Sequence, residues 1–133
     1  MSHLLLTLGH NSSAILVEEG EIKIGYETER ITGVKSDSSF PMAAIMEIAK
    51  WYPIEEITEV YISHWFIDPE KELKDQGKWY DHEFMSEVFP NVNIITLNKD
   101  FTHHDAHANS VWCFDGVAMP DNTYTLVIDG FGS

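Results

Sequence analysis

Cationic side chains are scarce in this 133-residue chain: eight Lys and Arg stand against 22 Asp and Glu, for a formal net charge of −14. Such an acidic surface repels phosphate backbones, which excludes ordinary nucleic-acid binding. Cysteine is nearly missing. The lone Cys113 cannot form an intramolecular disulfide and fits a reducing compartment, where it reads as a small buried hydrophobe beside Trp112. No apolar run approaches the ~20 residues that span a bilayer, and no basic-then-hydrophobic leader opens the sequence. The expected location is therefore the cytoplasm, without membrane association. Internal repeats and low-complexity tracts are also lacking. What remains, 44% hydrophobic and 23% charged, is the profile of a soluble domain long enough to bury one core.

The order of elements follows from apolar spacing. Leu4 to Leu8 and Ser13 to Glu18 read as strands, and Glu21 to Thr28 as a third, with Ile22, Ile24 and Tyr26 alternating against Lys23 and Gly25. Glu19-Gly20 between the second and third is a hairpin signal. Glu29 to Phe40 is polar, broken by Gly33 and a Ser-Asp-Ser-Ser cluster, and reads as a loop. Pro41 suits the start of a helix carrying Met42, Ile45, Ile48, Ala49 and Tyr52 inward, with Pro53 beyond it. Glu59 to Phe66 is a strand, Asp68 to Lys78 a charged loop, and Trp79 to Phe89 a helix stopped by Pro90. Val92 to Leu97 is a strand, followed by a histidine-bearing helix, a loop over Gly116 to Asn122, and a last strand, Tyr124 to Ile128. Three strands and then alternating helices and strands is the ribonuclease-H-like order, an α/β fold with a mixed sheet. The first lobe spans 1–120, and 121–133 opens a second one.

Two stretches carry chemistry-bearing side chains. His103, His104 and His107 lie within Thr102 to Ser110. On a helix His103 and His107 are i, i+4, so both imidazoles project from one face and can meet one transition-metal ion. The same spacing also occurs in helical first turns whose rings only cap or hydrogen-bond. The other stretch is Asp129-Gly130-Phe131-Gly132-Ser133, directly after the last strand. Glycine-flexed turns of this kind let backbone N–H groups approach phosphate oxygens, and the carboxylate can hold a divalent ion. Such a turn also commonly just ends a strand.

Four blocks in order resemble the O-carbamoyltransferase family of nodulation and antibiotic biosynthesis, whose Kae1-like module has the actin/Hsp70-type ATPase fold. They are Gly9-His10-Asn11-Ser12-Ser13-Ala14, then Glu27-Thr28-Glu29-Arg30 with Lys35 and Phe40-Pro41, then His103-His104-Asp105-Ala106-His107-Ala108-Asn109-Ser110, and finally Asp129-Gly130-Phe131-Gly132. The chain departs from the family in two places. Asn11 stands where the family has Asp, and Ser133 where it has an acidic residue.

The resemblance implies ATP-dependent carbamoyl transfer: carbamoyl phosphate and ATP give carbamoyl adenylate, and the carbamoyl group passes to an acceptor hydroxyl. It implies that His103 and His107 hold a divalent ion, Fe(II) foremost, and that His10 or His104 takes the acceptor's proton. It assigns Ser12, Ser13, Arg30, Lys35, Asp129, Gly130 and Gly132 to the nucleotide and its phosphates. Family members are several times longer. The expected partner is therefore a complementary chain carrying the rest of the second lobe and a YrdC-like domain, without which the 133 residues are inactive. An unpaired strand at Tyr124 to Ile128 would favour such pairing, or homo-oligomers. The alternatives are a non-catalytic interaction module of the same fold and a module like the tRNA threonylcarbamoyltransferases. The acidic charge and the Glu-x-Glu-Arg block count against the latter.

Overall fold

The computed structural model describes residues 1–64 and 86–97, together with 107, 124 and 126–128. Strands β1 (Ser2–Leu8), β2 (Ser13–Glu18), β3 (Glu21–Glu27), β4 (Ile57–His64) and β5 (Asn93–Leu97) form one mixed sheet in the order β3-β2-β1-β4-β5. β1 and β2 pair antiparallel, as do β2 and β3, while β4 lies parallel to both β1 and β5. The molecule is thus α/β, with an N-terminal meander and parallel strands after it, as the alternation of apolar residues leads one to expect.

The β2–β3 hairpin closes through Glu19 and Gly20 at φ 49° and 79°. Two successive positive φ angles make a type I′ turn, whose twist matches that of the flanking strands. Two irregularities have no counterpart in the apolar pattern. The β2–β3 register shifts between Leu16 and Val17, so that Leu16 faces Ile24 but Val17 faces Ile22. The β1–β4 register shifts between Ser2 and His3, where Thr58 is passed over and its hydroxyl donates to the Ser2 carbonyl at 3.2 Å. Each is one extra residue in one strand, which bends it locally and sharpens the twist.

Helix α2 (Met42–Ala49) covers one face of the sheet. Ala44, Ile45 and Ile48 of α2 share one buried core with Leu4, Leu6 and Leu8 of β1, Ala14 and Leu16 of β2, and Val60 and Ile62 of β4, and Ile24 and Tyr26 of β3 pack against it. The sheet residues on this face alternate along each strand, as the pleat requires. Pro41 takes the N-cap, and the helix ends at Ala49. The Tyr52 and Trp51 amides still bond the Ile48 carbonyl, and Tyr52 packs on the core from beyond the helix. A 3-10 turn, Ile54–Glu56, then leads into β4, which starts at Ile57 rather than Glu59.

Two expectations need correction. The Glu29–Phe40 segment is not all loop: α1 (Thr28–Thr32) forms within it, with acidic Glu29 in its first turn. Gly33, at φ 74°, ends that helix by donating its N–H to the Glu29 carbonyl. The last strand is the other. Tyr124, Leu126, Val127 and Ile128 take no part in a strand, because a strand is a ladder and no described residue pairs with them. Tyr124, Leu126 and Ile128 are almost fully exposed, at 97%, 83% and 87%.

Several expectations lie outside the described residues: the Asp68–Lys78 loop, the helix from Trp79 as far as Met85, Cys113, the Gly116–Asn122 loop and the Asp129–Ser133 turn. Residues 86–88 at the end of that expected helix are helical, and Phe89 is buried in the core. Among the described residues no helix is long and apolar enough to cross a membrane.

Candidate active site at the carboxyl ends of the parallel strands

Because β1, β4 and β5 run the same way, their carboxyl ends share one edge of the sheet. Leu8 is in register with His64, and Ser63 with Leu97. In open α/β sheets ligands gather outside this edge, where loops from neighbouring strands converge. The turn from Gly9 to Ser12 leaves β1 here and carries His10. The chain leaving β5 at Leu97 runs on to His103, His104 and His107. His64, the last residue of β4, stands at the same edge and was not singled out by any sequence block. A histidine ending a strand after an alternating apolar run is the signal that could have drawn attention to it.

The Gly9–Ser12 turn is tightly wound, with Gly9 at φ 112° and Asn11 at φ 59°. Asn tolerates the left-handed region better than most residues, as does Asp, so this position suits either amide or acid. His10 and Asn11 are exposed at the tip, whereas Ser12 is fully buried. The Ser12 hydroxyl lies 2.7 Å from the Thr28 hydroxyl, itself 1% exposed, and the Thr28 N–H donates to the Ser12 carbonyl at 2.8 Å. Ser12 therefore holds the turn in place instead of facing solvent. Ser13 opens β2 opposite Thr7 and is half-buried.

A second polar knot joins this turn to the segment beyond α1. The Ser12 N–H donates to the Asp37 backbone carbonyl at 3.0 Å. The Asp37 carboxylate accepts from Ser39 N–H at 2.9 Å and Ser39 Oγ at 2.5 Å on one oxygen, and from Thr32 Oγ1 at 2.7 Å on the other. Bonds to the Ser39 hydroxyl, the Thr32 hydroxyl and the Ser39 amide all favour the anion, so the Asp37 carboxyl is held below its usual value. Glu29 adds one more tie by accepting from the Ser36 N–H at 2.7 Å. Neither Thr28 nor Asp37 was identified from the sequence.

The expected cations are both exposed. Arg30 pairs with Glu27, one turn earlier, at 3.6 Å between two solvent-facing side chains. Lys35 sits on the rim of an open depression bounded by Val34, Asp37, Ser39 and Phe40. A further polar cluster lies at the opposite edge and does not belong to this site. There His3 of β1 and Glu59 of β4 are in register with Nε2 to Oε2 at 3.7 Å, and Tyr61 donates to the same carboxylate oxygen at 2.6 Å. That bond, with some burial, raises the Tyr61 phenol above its ordinary value.

Of the histidine stretch the structure describes only His107, an exposed helical residue. His103 and His104 lie outside the described residues, as do Asp129, Gly130 and Gly132. Among the described residues no group of three or more His, Cys, Asp or Glu side chains is placed to hold a metal ion. Comparison with protein-family models and with curated proteins returns no match.

Proposed function

We propose that this chain is the first, ribonuclease-H-like lobe of an ATP-dependent O-carbamoyltransferase of the actin/Hsp70-type fold. The observation that carries the reading is the sheet order β3-β2-β1-β4-β5, three antiparallel strands followed by parallel ones. This order sends the His10 turn and the chain leading to His103 and His107 away from the same edge. The first two blocks meet through the bond from the Ser12 N–H to the Asp37 carbonyl.

Neutral imidazole suits a borderline ion such as Fe(II), and His107 is exposed on a helix where a ligand can reach it, so His103 and His107 fit as the two protein donors. Bound there, the ion supplies a Lewis acid that polarises the carbamoyl or phosphoryl oxygen. The chain's own residues do the rest. The acceptor hydroxyl oxygen bonds to the carbamoyl carbon of carbamoyl adenylate, the bond from that carbon to the AMP oxygen breaks, and AMP leaves. His10, exposed at the turn tip, takes the hydroxyl proton, with His104 as the other candidate base. Lys35 neutralises phosphate charge, and Arg30 does so on leaving Glu27, an exchange that costs little because an exposed ion pair is weak.

Two imidazoles leave most of a metal's coordination to other donors, so a complementary part with the second lobe belongs to the proposal. The exposed Tyr124, Leu126 and Ile128 support it, since alternate large apolar side chains in water favour a covering partner. Anaerobic titration of the chain with Fe(II), followed by calorimetry, tests the reading. Weak binding abolished by His103→Ala or His107→Ala is expected. Binding indifferent to both substitutions would overturn the metal role, and tight binding by the chain alone would overturn the half-site.

A further inference from the structure

We propose that Asp37 is a positioning residue: its polar knot fixes Lys35 beside the His10 turn, so that both reach the same phosphate-bearing ligand. The inference deepens the carbamoyl-transfer reading and rests on it. Between Gly33 and Phe40 the chain has no regular structure, and Lys35 is the only cation in that stretch. An irregular polar segment ordinarily keeps its conformational freedom, and fixing one costs entropy at every residue. Here four bonds oppose that freedom: Ser39 N–H, Ser39 Oγ and Thr32 Oγ1 to the Asp37 carboxylate, and Ser36 N–H to Glu29.

A fifth bond gives the knot a direction. The Asp37 carbonyl accepts from the Ser12 N–H at 3.0 Å, and Ser12 is locked in turn to Thr28 through its hydroxyl and its carbonyl. Lys35 lies two residues from this joint on one side and His10 two residues on the other. Two residues reach at most about 7 Å even when extended, so the backbone of each of the two residues starts within that distance of the joint. A knot serving only to close the loop could have tied it to α2 or to the sheet. This one ties it to the turn that bears His10, at the edge where the parallel strands end.

The probe is inorganic pyrophosphate, titrated into the full chain and followed by amide and side-chain NMR. In the wild type, signals of His10, Asn11 and Lys35 shift together along one binding curve. Asp37→Ala weakens that binding about tenfold, the order expected when a preorganised contact must be ordered afresh. Asp37→Asn, whose amide oxygen can still accept from Ser39, recovers part of the loss. Thr32→Val preserves shape and removes one tie to the Asp37 carboxylate, together with the longer contacts to the Thr28 carbonyl and from the Val34 N–H; it gives a smaller loss and stands in for Asp37→Ala if that variant does not fold. The decisive measurement is the cycle with Lys35→Ala: once the lysine ammonium is gone, Asp37→Ala or Thr32→Val adds no further loss of binding. A wild type whose His10 and Lys35 signals ignore pyrophosphate overturns the transfer reading and this inference together. Wild-type binding with an unchanged constant in Asp37→Ala and Thr32→Val, or with the same loss in the Lys35→Ala background, overturns the positioning role alone.

Discussion

The Ser12–Thr28 contact offers the sharpest test of how this fold is held together. Both hydroxyls are buried, 2.7 Å apart. Removing either one leaves its partner with no bond in a dry site, which costs about 1–3 kcal/mol. Ser12→Ala and Thr28→Val should each destabilise by that much, since valine copies threonine's shape and alanine only shortens serine. The double variant removes donor and acceptor together and leaves nothing unsatisfied. Its cost should therefore fall below the sum of the singles, with a coupling of ~1–2 kcal/mol. Urea unfolding measures this, read from midpoints at a constant denaturant slope. Additivity within ~0.5 kcal/mol would refute the reasoning, because it would mean that each hydroxyl finds another partner when its neighbour is gone.

Three further outcomes follow from other parts of the molecule. Ile48→Ala, at the centre of the α2 face and 1% exposed, should cost about 2–5 kcal/mol in the same urea experiment; a loss under ~1 kcal/mol would mean the helix is not seated on the sheet as described. Gly33→Ala should cost about 1 kcal/mol and lower the melting temperature, since nothing lies within 4 Å of the added methyl and only the φ of 74° opposes it. Asp37 should make the fold acid-sensitive. Its carboxyl is held below the ordinary aspartate value, so its stabilisation is complete above about pH 4 and disappears as the pH falls through the depressed value. Acid unfolding of Asp37→Asn should lack that component, and superimposable acid profiles for the two proteins would contradict it.

The parts of the fold that read directly from the sequence are those set by neighbours along the chain. Glu19-Gly20 announces a hairpin because Gly20 accepts a positive φ without cost, and the Ile45 and Ile48 stripe announces the core face of α2. Helix α1 is illegible for a simple reason. Five residues make less than two turns, too few for a period to show, and only Gly33 marks where it stops. The register shifts at Val17 and His3 are invisible because one passed-over residue leaves the composition of a strand unchanged. Tyr124 to Ile128 has the alternation of a strand, yet alternation supplies no partner. Around the candidate site the same division holds. His10 announces itself through the glycine before it and the resemblance it belongs to. Ser12 reads as one polar residue of a surface pair, and its burial follows only once Thr28, 16 positions later, is brought against it. Asp37 looks like part of a solvated Ser-Asp-Ser-Ser cluster until Thr32, Ser39 and Ser12 converge on it.

The parallel pairing of β1 with β4 bears on how the chain assembles. β1, β2 and β3 zip through short turns, so their ladders can close within microseconds once each turn forms. Strand β4 comes late, since both helices and the 3-10 turn lie along the chain between His3 and its partner Glu59. Closing that long excursion is the slow, entropically expensive step. Until it happens, the β1 edge stands open, with its outward N–H and C=O groups unpaired. A newly made chain is most vulnerable to sticking to its neighbours during that interval, and shortening the wait, more than strengthening the hairpins, would raise the yield of correctly folded molecules.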